Sequence, residues 1–174
     1  SGRSYVRPPG TLPEKELNQL CIRCGVCVEV CPTKALELVD LSLDFKNLGT
    51  PVLNPEHGGC IAWGEKCLRC VDACPTQALS GEKPLTKKPL GRVTINEPVC
   101  YNCMLCFRKC PIEGAVLFPN PDGEPFTKEL GIPVGIMQAD SPLKPYIDDS
   151  LCVGCGLCVH YCPPKAMTLL PLES

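Results

Sequence analysis

Sixteen cysteines in four spaced blocks constrain this 174-residue chain more than any other feature of it. The first block, CIRCGVCVEVCP, holds Cys21, Cys24, Cys27 and Cys31. The second, CIAWGEKCLRCVDACP, holds Cys60, Cys67, Cys70 and Cys74. The third, CYNCMLCFRKCP, holds Cys100, Cys103, Cys106 and Cys110, and the fourth, CVGCGLCVHYCP, holds Cys152, Cys155, Cys158 and Cys162. No cysteine lies outside a block, and each block runs into a proline: Pro32, Pro75, Pro111 and Pro163. A repeat of this kind means copies of one small unit.

Blocks one, three and four match C-x2-C-x2-C-x3-C-P, the ferredoxin spacing for [4Fe-4S] clusters. Three cysteines on a tight loop cover one face of an iron–sulfide cube. The fourth is turned away and ligates the cube of a partner block. A helix starting at the proline is expected to do the turning, because proline's missing N–H costs nothing at a first helical position. Block two departs, with six residues between Cys60 and Cys67. An outward bulge over 61–66 would still deliver three thiolates; a degenerate or three-iron site is the alternative. Gly25, Gly154 and Gly156 would let loop amides approach the sulfurs.

Two rival uses of the cysteines fit worse. A disulfide framework also needs an even count, but gives no reason for one spacing repeated four times before proline. Zinc uses C-x2-C pairs, but not a third cysteine at the same spacing and a fourth three residues on. His57 and His160 are surface or packing residues on this reading, since sulfur already supplies four ligands per cube. Trp63 could shield the second block from water, though packing explains it too. Arg23, Lys66, Arg69, Arg108 and Lys109 flank ligands and read as solvated side chains that partly offset cluster charge.

Each block except the second continues into an apolar stretch, at 35–39, 115–118 and 166–170, read as a turn and a short strand. The second has only Ala78 and Leu79. Residues 92–96 alternate like a strand, and 144–148 do so more weakly. The expected unit is strand, cysteine loop, short helix, strand. The joins between blocks are 28, 25 and 41 residues long, the last rich in proline and read as a surface loop. Residues 1–20 read as an extended N-terminal arm, able to grip a neighbouring subunit.

With twenty prolines, fifteen glycines and nine aromatics, the chain is too loop-rich for an ordinary core. Bound metal must supply much of the folding free energy. Four oxidised clusters would take the formal charge from −2 to roughly −10, so basic docking partners are favoured over nucleic acid. No apolar run reaches the length of a membrane span. No dinucleotide fingerprint, P-loop or nucleophile–base constellation is present. The chain therefore reads as an electron carrier without a catalytic centre of its own.

These motifs, with RPPGTLPEKELNQL ahead of block one and LGTP at 48–51, resemble four-cluster polyferredoxin subunits of bacterial redox complexes. The likeness extends to the ferredoxin-type proteins of periplasmic nitrate reductase and methylamine-utilisation systems. The short form without an export signal looks more like the small polyferredoxin subunit of tungsten-dependent aldehyde oxidoreductases. That resemblance implies an electron-transfer subunit between a catalytic pterin subunit and a flavin or other accepting subunit, cytoplasmic and able to stack into filaments. The nitrate-reductase resemblance implies a periplasmic subunit after twin-arginine export; a free soluble carrier, or a subunit whose clusters mainly hold the fold, are further readings. The expected fold is α+β: two ferredoxin-like 2[4Fe-4S] units with pseudo-symmetry.

Related subunits also imply nested pairing, first block with fourth and second with third. One cube then takes Cys21, Cys24, Cys27 and Cys162, and the next Cys152, Cys155, Cys158 and Cys31. A third takes Cys60, Cys67, Cys70 and Cys110, and the last Cys100, Cys103, Cys106 and Cys74. Residues 60–110 would form one unit, and 21–59 with 111–174 the other. The similarity of blocks one and four and the short join between two and three agree with nesting; sequential pairing is the alternative.

Overall fold

The chain is described by a computed structural model, over residues 4–40, 44–63, 66–80, 89–119 and 143–172. Its regular elements are short, and each is placed by a cysteine loop. The one-turn helices α2 (Val26–Glu29), α3 (Arg69–Asp72) and α5 (Leu157–His160), with α4 (Leu105–Lys109), each carry the third cysteine of a block. Helices of four or five residues do not persist alone in water, so tertiary contact and ligand chemistry hold them. They end before the Cys-Pro pair rather than starting at it. The residue before a proline is driven from helical to extended backbone; Cys110, for example, has ψ 124°. The prolines at 32, 75 and 163 sit in turns.

The second half of the chain follows the expected repeat. Strand β3 (Arg92–Ile95) leads into block three, then α4, then β4 (Val116–Leu117). Strand β5 (Tyr146–Ile147) leads into block four, then α5, then β6 (Met167–Leu170). The outer strands β3 and β6 pair antiparallel in the register Val93↔Leu169 and Ile95↔Met167. The inner strands β4 and β5 pair with Val116 opposite Ile147. Val93, Met104, Phe107, Val116, Phe118 and Met167 are buried together. Phe107 and Phe118 meet edge to face, with ring centroids 5.9 Å apart, a favoured aromatic geometry. The 23 residues 120–142, most of the long proline-rich join, lie outside the described residues.

The first half has one hairpin, β1 (Leu36–Leu38) against β2 (Pro51–Leu53), the latter not anticipated from the sequence. In place of an outer strand pair, the N-terminal segment packs in. Leu12 N–H donates to the Ala78 carbonyl at 3.2 Å, and Leu53 N–H to the Val6 carbonyl at 2.8 Å. Helix α1 (Glu14–Leu20) buries Leu17 completely. The expected free arm over 1–20 is thus corrected where the structure describes it, because its apolar residues complete the core of Val6, Leu36, Leu53 and Leu79. Arg7 anchors it. Buried, it donates through Nε and Nη2 to Glu14 at 2.7 and 2.8 Å, and through Nη1 to Thr50 Oγ1 and the Pro51 carbonyl.

The apolar cores do not follow the expected split into 60–110 and the remainder. The two apolar cores divide along the chain, one drawn almost wholly from residues before 90 and the other from residues after it. Consecutive blocks pack because a hairpin, the cheapest way to reverse a chain, brings neighbours together. The halves meet where Leu169 joins both cores. At the same seam Gly59 lies against Leu157, and Cys60 N–H donates to the Cys155 carbonyl at 2.7 Å.

Candidate metal centres

Helix α2 packs on α3, and α4 on α5. Each pairing carries the fourth cysteine of one block to the loop of its neighbour. Cys74 lines one cavity with Cys21, Cys24 and Cys27. Cys31 lines another with Cys60, Cys67 and Cys70. Cys162 shares a third with Cys100, Cys103 and Cys106. Cys110 is the leading charged neighbour of Cys155 and acts on Cys152 and Cys158 as well. The thiols are thus grouped differently from the nested sets. The loop of block one is joined by Cys74, not Cys162, and that of block four by Cys110, not Cys31. Likewise the loop of block two receives Cys31, not Cys110, and that of block three Cys162, not Cys74. Block two, despite its long first gap, brings all three of its loop cysteines to one cavity.

The backbone of the loops suits a negatively charged guest. Left-handed backbone recurs at matching places: Arg23, Asn102 and Gly154 two residues after the first cysteine, then Gly25, Met104 and Gly156 just after the second. Past the fourth cysteine come Lys34, Gln77 and Lys165, each three residues on. Such residues alternating with ordinary ones fold successive N–H groups into a concavity that cradles anions, including iron–sulfur clusters. Only the glycines adopt this backbone without cost. That non-glycine residues hold it in three of the loops shows how strongly the fold demands it.

The thiols are prepared for metal. Burial pushes Cys27 up to about 11 and Cys60, Cys70, Cys106 and Cys155 up to about 12, because a bare thiolate is poorly solvated there. A cationic iron core removes that penalty as it displaces the protons. Cys74 is the exception. Burial works to raise it, but the amides of Leu79, Thr76 and Ala78 and the Thr76 hydroxyl outweigh burial and hold its thiol below the ordinary value. Among the described residues no three His, Cys, Asp or Glu side chains converge tightly enough for one metal ion. Four thiolates on a single zinc would stand about 3.8 Å apart, from a Zn–S bond of about 2.3 Å. The wider sets here suit a polyatomic core, and sixteen cysteines in four such sets fit four [4Fe-4S] clusters.

The sets follow one another in a row. Cys27 and Cys70 are buried in one core, linking the cavities of blocks one and two. Cys60 N–H donates to the Cys155 carbonyl at 2.7 Å, linking blocks two and four. Cys106 and Cys158 are buried in the other core, linking blocks four and three. The spatial order is one, two, four, three. At one end Cys24 is exposed, ringed by the exposed side chains of Leu20, Ile22 and Val26.

His57 and His160 stay off the sulfur sets. Their Nδ1 atoms face Glu37 at 3.5 Å and the Pro55 carbonyl at 3.2 Å. Trp63 is half-buried, and its indole N–H finds no acceptor among the described residues; Ile61, not Trp63, lines the second cavity. Arg23 Nε donates to the Leu48 carbonyl at 2.7 Å, which explains why LGTP accompanies block one. Lys109 stacks its ammonium 4.8 Å from the Tyr161 ring centre. Sequence reasoning passed over three residues that matter here: Gly59 at the seam, buried Asn102 beside Cys100, and Thr76 beside Cys74. The repeated Cys-Pro-Thr of blocks one and two was the legible signal for the last.

Comparison with known proteins agrees with the chemistry. A 4Fe-4S dicluster domain matches residues 60–114, and a 4Fe-4S binding domain matches 18–37 and 145–168. The dicluster match spans blocks two and three, whereas the thiols group one with two and three with four. A family match scores spacing along the chain, and the reach of each fourth cysteine is decided in three dimensions, so the geometry carries more weight. The methylamine utilization ferredoxin-type protein MauM of Methylophilus methylotrophus is 36% identical over 98% of this chain and 72% of its own length. The ferredoxin-type protein NapG of Escherichia coli is 28% identical over 97% of this chain and 71% of its own. A chain of the formate dehydrogenase – heterodisulfide reductase – formylmethanofuran dehydrogenase complex from Methanospirillum hungatei is 26% identical, covering 87% of this chain and 52% of that one. Its TM-score of 0.32 is too low to carry an argument.

Proposed function

This chain belongs to the ferredoxin-type proteins of the MauM family, and from that premise we propose that it relays single electrons along four cubes within a multisubunit oxidoreductase. The observation that supports this most is the row of cysteine sets, joined within each apolar core and across the seam, from block one through two and four to three. A relay needs such a row, whereas clusters that served only to hold the fold would need no contact between halves. Clusters bound there supply one-electron oxidation and reduction with no bond made or broken.

Three ligand sets follow the cavities, and the fourth follows the packing of Cys110 and Cys152 on the core that buries Cys158. Cys21, Cys24, Cys27 and Cys74 hold the first, and Cys31, Cys60, Cys67 and Cys70 the second. Cys110, Cys152, Cys155 and Cys158 hold the third in the row, and Cys100, Cys103, Cys106 and Cys162 the last. Apolar side chains shield the sulfurs of each set, least at the exposed Cys24, and the loop amides balance the added charge. We read the halves as two ferredoxin-like units related by pseudo-symmetry: the hairpin β1–β2 matches β4–β5, and the docked N-terminal segment stands where β3–β6 does. Partners are redox proteins of the kind served by MauM- and NapG-type ferredoxins. A place beside a tungsten enzyme gains no support from these relatives.

The test is stoichiometry joined to ligand exchange. Anaerobically purified protein should hold about sixteen iron and about sixteen sulfide per chain, four for each of four cubes. Cys74→Ser should alter the same paramagnetic component as Cys21→Ser. Iron near half that amount, or Cys74→Ser acting with Cys100→Ser instead, would defeat the assignment.

A further inference from the structure

We infer that Thr76 donates its hydroxyl proton to the Cys74 sulfur and thereby makes the block-one cube the electron sink of the row. The inference rests on the ligand sets just proposed and adds to them a direction of flow.

One position differs among the four copies. Two residues after the fourth cysteine stand Thr33, Thr76, Ile112 and Pro164. Isoleucine and proline side chains have no proton to donate; the Ala166 N–H that reaches Cys162 at 3.2 Å is a backbone donor with a counterpart at Cys74 in the Ala78 amide, so the side chain makes the difference. Thr33 and Thr76 look equivalent in sequence, with Oγ1 at 3.6 and 3.8 Å from the sulfurs of Cys31 and Cys74. The structure separates them. A hydroxyl has one proton, and Thr33 gives its proton to the Gly59 carbonyl at 2.8 Å, so lone pairs face Cys31. Among the described residues no such acceptor competes for Thr76. An iron-bound thiolate carries no proton, so between Cys74 and Thr76 only the hydroxyl can donate. Beside Cys110 the contrast is sharper. Its sulfur lies 3.3 Å from the Ile112 carbonyl oxygen, an acceptor that opposes negative charge on sulfur.

A hydrogen bond to a ligand sulfur favours the more negative, reduced cube and raises its potential. Thr76 lines the cavity of Cys21, Cys24, Cys27 and Cys74, so it is the block-one cube that gains. Water acts in the same direction, since solvation favours the reduced charge and Cys24 is exposed. That cube also stands at the end of the row, joined to the rest through Cys27 and Cys70. A high-potential centre at a terminus collects electrons delivered from the block-three end and passes them out near Cys24.

The test is an anaerobic potentiometric titration of the holoprotein, followed by electron paramagnetic resonance. Cys21→Ser identifies the block-one component, by altering or abolishing its signal. In the otherwise native protein that component should have the highest midpoint potential of the four. Thr76→Val should weaken its electron affinity about fivefold, a drop of ~40 mV at 59 mV per tenfold. Thr76→Ser should restore it, and Thr33→Val, which removes an acceptor rather than a donor, should lower no potential. The inference is overturned if Thr76→Val leaves that component unmoved, if serine fails to restore it, or if another component has the highest potential. Iron near sixteen, with Cys21→Ser and Cys74→Ser acting on one component, would uphold the ligand sets even then, so the two failures are distinguishable.

Discussion

Replacing Gly59 with alanine is expected to force the two halves apart at the one place where a backbone amide joins the cubes of blocks two and four. A Cβ at this position would lie 2.6 Å from Leu157 Cγ and 2.7 Å from Leu157 Cα. Ordinary contact begins at 3.4 Å, so the seam must open by about 0.8 Å. The Leu157 side chain can swing away, but its Cα belongs to α5 and moves only with the helix. Overpacking of this kind costs about 1–3 kcal/mol. Stretching the adjoining 2.7 Å bond from Cys60 N–H to the Cys155 carbonyl adds about 1 kcal/mol. At roughly 2–4 °C per kcal/mol for a chain of this size, the apparent Tm should fall by about 4–16 °C. Anaerobic melting at one fixed scan rate, read through cluster absorbance, measures it; the fixed rate matters because loss of cluster is irreversible. Magnetic coupling between the block-two and block-four cubes should weaken in the same sample. Glu56→Gln is the control. It removes the ion pair from Glu56 to Lys165, which also spans the halves but is well exposed at both ends, and such pairs contribute little. A Gly59→Ala protein that melts within about 1 °C of the parent, with its coupling intact, would refute the packed seam.

Two further outcomes are expected. Arg7→Ala leaves the Pro51 carbonyl and Thr50 without their buried donor and frees α1 from the first half; a loss of about 2–4 kcal/mol should show as faster cluster loss to a chelator, with Arg7→Lys intermediate. Reconstitution of metal-free protein with iron and sulfide should release protons and become less complete as the pH is lowered from about 8.5 to about 6.5. The sign follows from burial, which holds Cys60, Cys70, Cys106 and Cys155 protonated up to about 12, so added protons compete with iron. A pH electrode and iron analysis together check it.

The amino-acid sequence by itself marked the candidate cysteines, their grouping in threes and the chemistry they suit, because spacing within a block is a matter of local loop geometry. Strands at 36–38, 92–95, 116–117 and 167–170 were legible for a similar reason, as apolar stretches beside each cysteine loop. Strand β2 was not. Pro51 to Leu53 are buried on both sides and show no alternation to read. Nor was the fate of the N-terminal segment, whose prolines suggest an extended arm until Val6 and Leu17 are seen to fill a core.

Only the tertiary structure decided which loop each fourth cysteine serves. The similarity of blocks one and four speaks for nesting, yet similarity in sequence carries no information about adjacency. Packing of α2 on α3 and of α4 on α5 carries it, and with it the order of the cubes. The difference between Thr33 and Thr76 belongs to the same class. Two identical Cys-Pro-Thr runs part company because a carbonyl from Gly59 reaches one hydroxyl, across 26 residues of chain.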